Sequence, residues 1–153
     1  MEPKVLVVEE DPGLLKIYRE LLSREFSALF AQDAETGLKK LIEAPSVDVV
    51  VADLYMQGMD GIEFLIKARQ HAPWSVGILI TGRPTVARLM AAVNQANIFG
   101  VFLRKEPLGN LVTRVKQGLS TVARNRQYLK KSRVGLTREE LLFFQTLDVS
   151  RDR

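Results

Sequence analysis

Short apolar runs alternate along this chain with longer stretches in which apolar residues return every three or four positions. The first pattern marks buried strands and the second amphipathic helices. Lys4 to Val8 reads as a strand. After it, Leu14, Leu15, Tyr18, Leu21 and Leu22 recur at helical spacing behind Pro12, a residue suited to a first helical turn. Phe26 to Ala31 reads as a second strand. Asp33 can cap a helix carrying Leu38, Leu41 and Ile42, which stops before Pro45. A strand over Asp48 to Ala52, a helix from about Gly61 to Gln70, and a strand over Val76 to Ile80 ending at Thr81 follow. A helix over Thr85 to Gln95, a strand over Phe99 to Leu103 and a long helix from Pro107 or Leu108 complete the series. Strands and helices in strict alternation predict an α/β fold, a parallel sheet with helices on both faces and right-handed crossovers.

The run Val49-Val50-Val51-Ala52-Asp53 is apolar without alternation, as a strand buried on both faces must be, and it stops at a carboxylate followed by turn residues Gly58 and Asp60-Gly61. Asp53 thus lies at the carboxyl end of a central strand, where open parallel sheets hold their ligands. The other strands end in Glu9-Glu10-Asp11, in Thr81 and in Arg104-Lys105. With strand order 2-1-3-4-5, Glu9, Glu10 and Asp53 share one crevice. Such carboxylates repel one another unless protonated or neutralised by a cation. Oxygen donors of this kind suit Mg²⁺, whereas a softer metal would find no Cys and only His71. Mg²⁺ and Lys105 would neutralise a phosphoryl group, Thr81 would donate a hydrogen bond to it, and Asp53 would be the in-line nucleophile forming an acyl phosphate. Taken singly, Glu9-Glu10-Asp11 also reads as a solvated loop and Phe102 as simple core.

Composition narrows the setting. The 153 residues, 46% of them hydrophobic, can bury a substantial core, and the absence of Cys excludes a disulfide scaffold. No apolar stretch approaches a membrane span and no signal peptide is evident, so a cytoplasmic protein is expected. The net charge of +4 is uneven: residues 1–103 carry 10 Lys/Arg against 13 Asp/Glu, residues 104–153 carry 12 against 5.

The segments Val-Val-Glu-Glu-Asp-Pro, Asp-Leu-Tyr-Met-Gln-Gly-Met-Asp-Gly, Ile-Leu-Ile-Thr-Gly and Phe-Leu-Arg-Lys-Glu-Pro, in that order, resemble the receiver domain of bacterial two-component response regulators over roughly residues 3–122. The resemblance implies a flavodoxin-like five-stranded sheet of order 2-1-3-4-5 and a phosphoacceptor switch rather than an enzyme, with at most slow self-phosphorylation and self-dephosphorylation. Asp53 would take its phosphoryl group from a sensor histidine kinase or a phosphotransfer protein. Mg²⁺ would be held by Glu9, Glu10, Asp53 and the carbonyl of Tyr55. Thr81 would be the switch hydroxyl, Lys105 the phosphate-binding lysine and Phe102 the switch aromatic, while Tyr55 and Arg83 occupy positions that tune loss of the phosphate. Three residues depart from the family pattern. Glu10 replaces the second Asp of the acidic pair, Gln57 replaces the usual Pro after the acceptor, and Glu106 separates Lys105 from Pro107. They leave open a pseudo-receiver, an interaction module that signals without phosphate. A flavin-binding flavodoxin is disfavoured, because no Gly- or Ser/Thr-rich phosphate loop follows the first strand.

Residues 1–122 are thus expected to form the receiver and 123–153 a C-terminal helical extension: a linker, a dimerisation segment or the stub of an output domain. Leu108, Leu111, Val112, Val115, Leu119, Val122 and Leu129 extend an apolar stripe toward about Ser132, interrupted by Arg126. Arg114 to Arg138 contains eight basic residues and no acidic one. A homodimer through the C-terminal helices is the expected use of this tail. Contact with an acidic partner is a further possibility, a membrane is not, and nucleic acid is not expected from this chain by itself. Thr137-Arg138-Glu139-Glu140 has the form of a capping box opening a short helix through Leu147.

Overall fold

The computed structural model describes residues 2–131 together with Glu139 and Leu142; the capping box and the helix expected after it lie outside the described residues. Five strands, β1 (Val5–Val8), β2 (Ala28–Ala31), β3 (Val49–Asp53), β4 (Val76–Thr81) and β5 (Gly100–Leu103), form one parallel sheet of order β2-β1-β3-β4-β5. Helices α1 (Pro12–Ser23), α2 (Ala34–Glu43), α3 (Gly61–His71), α4 (Val86–Ala91) and α5 (Leu108–Lys131) connect and cover the strands. The fold is the expected flavodoxin-like α/β sheet.

Every residue of β1 and β3 is buried, which is why neither run shows the alternation of a half-exposed strand. The pleat sorts their side chains into two cores. Val5, Val7, Val49, Val51, Ile78, Ile80 and Phe102 pack with Leu15, Tyr18 and Leu22 of α1 and with Leu111 and Val115 of α5. Leu6, Val8, Val50, Ala52 and Leu79 pack on the other face with α2 and α3.

The caps follow the sequence. Asp11 accepts from the amides of Gly13 and Leu14 ahead of Pro12, Asp33 from Thr36, Asp60 from Glu63 and Thr85 from Arg88. Two elements differ from expectation. Strand β2 begins at Ala28 because the Phe26 amide is still closing α1 on the Leu22 carbonyl at 2.9 Å. The helix expected over Thr85 to Gln95 is α-helical only to Ala91; a π turn over Ala92–Ala96 follows, sets Ala92 and Ala96 into the core, and ends at Asn97 in the left-handed region. Helix α5 runs 24 residues, and Arg126 on it reaches Asp48 below the sheet.

Candidate functional site

The pairings place the strand ends together. Val8 pairs with Ala52, so Glu9 and Asp53 are the next residues on adjacent strands; Asp53 pairs with Ile80 and Thr81 with Leu103. Glu9 is 1% exposed and Asp53 4%. Both continue the alternation that puts Val5, Val7, Val49 and Val51 under α1 and α5, so the two carboxylates share a face. Burial first, and the Asp53 charge second, push the Glu9 carboxyl up to about 7. The Asp11 amide donates to Glu9 Oε1 at 3.2 Å and the Tyr55 amide to Asp53 Oδ1 at 3.3 Å.

The cation that meets them is Arg104. Its Nη2 lies 2.6 Å from Asp53 Oδ2 and 3.4 Å from Glu9 Oε2, and the buried Tyr18 hydroxyl is also a partner. Lys105 is exposed and has no ion pair with Glu9 or Asp53. The reason is register. Leu103 pairs with Thr81, and Arg104 is the first residue past the ladder, on the pleat side of Phe102; its amide donates to the Thr81 carbonyl at 3.1 Å. Glu106, which seemed to interrupt the motif, closes the turn. Its Oε2 accepts the Leu103 amide at 2.7 Å and its Oε1 meets Arg114 Nη2 at 2.7 Å. Those partners hold its carboxyl below the ordinary carboxylate value.

Phe102 is 1% exposed in the core beneath α5, with the Arg114 guanidinium 5.9 Å from its ring centroid; the residue three before Arg104 is Val101, on the opposite face. Thr81 is fully buried, and its Oγ1 accepts the Arg83 amide at 3.1 Å. Tyr55, 47% exposed, donates its hydroxyl to the Arg83 carbonyl at 3.3 Å, so these two residues meet over the mouth of the site.

Glu10 is turned away from the other carboxylates: its Oε1 accepts the Gln57 amide at 2.6 Å. Two departures from the family pattern are therefore partners. A proline at 57 would offer no N–H, and the extra methylene of Glu10 helps it span the gap. Below this loop, Gly58 turns at φ 79° and the Gly61 backbone lies so close to the Asp53 carbonyl that any side chain at 61 would collide with it. Among the described residues, no three of His, Cys, Asp and Glu converge as a metal cage. The donor chemistry of Glu9 and Asp53, two buried carboxylates on one face of the sheet, nonetheless suits a hard cation.

The chain matches the response regulator receiver domain over residues 5–116. It belongs to that family. The receiver is 31% identical over 115 residues to the hydrogenase transcriptional regulatory protein HoxA of Cupriavidus necator, a match covering 75% of this chain and 24% of HoxA. It is 32% identical over 99 residues to the transcriptional regulatory protein GlrR of Escherichia coli, covering 64% of this chain and 21% of GlrR. The chain thus spans about a quarter of the length of these relatives or less. Among solved structures, the signal receiver domain of an HD domain-containing protein from Pseudomonas fluorescens aligns at TM-score 0.73 and 27% identity over 80% of this chain and 98% of that one. Receivers of two-component systems are phosphoacceptor switches, phosphorylated in general on an Asp, charged by histidine kinases and assisted by Mg²⁺.

Sequence reasoning missed Arg104 and Tyr18. The signal for Arg104 was available in strand alternation, since it has the parity of Phe102; Tyr18 had no signal beyond its place on the apolar face of α1.

Proposed function

We propose that Asp53 is the phosphoacceptor of a response regulator and that its charge state sets the protein's contacts with other proteins. The observation that supports this most directly is the placement of Asp53: a buried carboxylate at the carboxyl end of the central strand, beside a second buried carboxylate and against a cation. An Asp53 oxygen would attack the phosphorus in line, the bond from phosphorus to the donor would break, and an acyl phosphate would remain. Arg104 would offer N–H donors to the phosphoryl oxygens, as would the Thr81 hydroxyl on rotating from Arg83, while Tyr55 and Arg83 would screen the product from water. Glu9, Asp53 and the Tyr55 carbonyl are the groups that would hold Mg²⁺, which when bound would neutralise phosphoryl oxygens; Glu10 would join them only on leaving the Gln57 amide. Lys105, one residue beyond Arg104, would add positive charge at the rim. Phe102 would respond only through the packing beneath α5.

The phosphoryl group would come from a sensor histidine kinase or a phosphotransfer protein in the cytoplasm. We propose that the receiver extends past Val122 at least to Arg126, whose guanidinium pairs with Asp48, and we assign homodimer formation to α5 and the residues that follow. One observation favours the pseudo-receiver instead: Glu10 is held by the Gln57 amide, and no three acidic side chains converge among the described residues.

Incubation with acetyl phosphate and Mg²⁺, followed by intact mass measurement, separates the two. Wild type should gain one phosphoryl group and Asp53→Asn none. No gain in wild type under saturating donor and Mg²⁺ would leave the pseudo-receiver standing.

A further inference from the structure

At the β2 edge of the sheet, a cavity of about 510 Å³ lies between α1 and α2, with Lys16 and Arg19 on its α1 wall, Lys40 on its α2 wall, and Pro12, Leu15 and Phe30 in its lining. Strand β1 stands between it and Asp53, and none of Glu9, Asp53, Thr81 and Arg104 lines it. Residues 1–103 are acidic on balance, yet three of their ten basic side chains meet here. None of the three forms an ion pair among the described residues. The carboxylate on the lining, Asp33, is already engaged: its Oδ1 accepts the Thr36 amide at 2.7 Å, and hydrogen bonds from Thr36 hold its carboxyl below the ordinary aspartate value. Three like charges gathered in one concavity repel, and an anion would relieve them. Two of them are held in place by Phe30. The Arg19 guanidinium lies 5.2 Å from its ring centroid, and Lys40 Nζ donates to its carbonyl at 2.5 Å. Lys40 keeps two further N–H donors and Arg19 its planar fork. The same Lys40 contact closes the edge of β2 to an added strand, because the Phe30 carbonyl is taken, so an extended peptide is not the occupant.

We propose that this cavity is a binding site for a small organic phosphate, its phosphate held by Lys16, Arg19 and Lys40 and its carbon body resting on Pro12 and Leu15. The terminal oxygens of a phosphate point in three directions and can meet donors from both helices at once, whereas a carboxylate has two oxygens in one plane. The volume falls in the range of small-molecule sites, about 300–1,000 Å³, and exceeds what a bare inorganic ion fills. A ligand held this way ties α1 to α2 across the edge strand.

Titration of the isotope-labelled full chain with phenyl phosphate, followed by amide NMR in the absence of divalent cations, tests this. The amides of Lys16, Arg19, Thr36 and Lys40 should shift together and saturate. Arg19→Gln should bind phenyl phosphate roughly tenfold more weakly than wild type, the order expected for losing one charge-assisted hydrogen bond. Lys16→Gln, at an exposed position of α1, should also weaken binding, and it keeps the test standing should Arg19→Gln disturb Phe30. Inorganic phosphate lacks the carbon body and benzoate lacks the phosphate, so each should bind more weakly than phenyl phosphate. Shifts that miss these four amides overturn the proposal, as does unchanged affinity in the folded variants. Inorganic phosphate or benzoate binding as tightly as phenyl phosphate overturns it too.

Discussion

Asp60 serves the start of α3 in two ways: its Oδ1 accepts the Glu63 amide at 2.9 Å and its Oδ2 meets Arg88 Nη2 at 2.5 Å. Partial burial pushes its carboxyl up, yet the Glu63 amide and the Arg88 guanidinium outweigh that and hold it below the ordinary aspartate value. A carboxyl lowered by folding stabilises the native state above the unfolded pKa of about 4, and the contribution is lost as pH falls through that value and below. Asp60→Asn keeps a capping oxygen and removes the charge. Its deficit in Tm against wild type should therefore be present at neutral pH and close as the pH approaches about 3. A deficit that is constant across that range would mean the charge contributes nothing. Asp60→Ala removes the cap as well and should cost about 1 kcal/mol.

At the scale of elements, the end of α5 is tied to the opposite edge of the sheet from the carboxylates. Arg126, the residue that breaks the apolar stripe, lies 2.8 Å from Asp48 Oδ1, a side chain only 9% exposed, and 5.8 Å from the centroid of Trp74. Lys4 approaches the same aspartate at 3.8 Å. The contact is an ion pair without the alignment of a hydrogen bond, since Asp48 Oδ1 has no hydrogen-bond partner among the described residues. The loop carrying Trp74 and the helix leaving the domain are thus held by one guanidinium. Arg126→Ala should lower stability by about 1–2 kcal/mol, partly through the lost charge pair and partly through the lost cation–π contact. Arg126→Lys should recover part of it, having the charge but not the plane. Thermal unfolding of both variants checks the order; a lysine variant as poor as the alanine would assign the contact to stacking alone.

Across the whole molecule, charge is segregated: the first 103 residues are mildly acidic and the last 50 strongly basic. Basic helices from two copies would repel side by side, so the proposed homodimer should set each tail against the acidic body of its partner, and it should weaken as salt screens that attraction. Sedimentation of the full chain should show a dimer at about tens of micromolar that dissociates at high ionic strength, whereas a chain ended after Lys131, with the Arg126 contact intact, should associate less. A full chain that is monomeric at every salt concentration would remove self-association from the reading.

The α/β class, the parallel sheet and the position of Asp53 were determined by the sequence alone, because they depend on local quantities: strand and helix periods, caps at Asp11, Asp33 and Asp60, and the residue at which each apolar run stops. Which cation enters the crevice was decided by tertiary structure. Arg104 and Lys105 are neighbours of the same charge; alternation gives Arg104 the parity of Phe102, but that this parity holds as far as residue 104 is set by the pairing of Leu103 with Thr81, which turns Arg104 toward Glu9 and Asp53. The same register buries Phe102 under α5. Glu10 and Gln57 are 47 positions apart, and their hydrogen bond exists only because β1 and β3 lie side by side. A sequence read one residue at a time shows each of these as a departure; through-space proximity makes them partners.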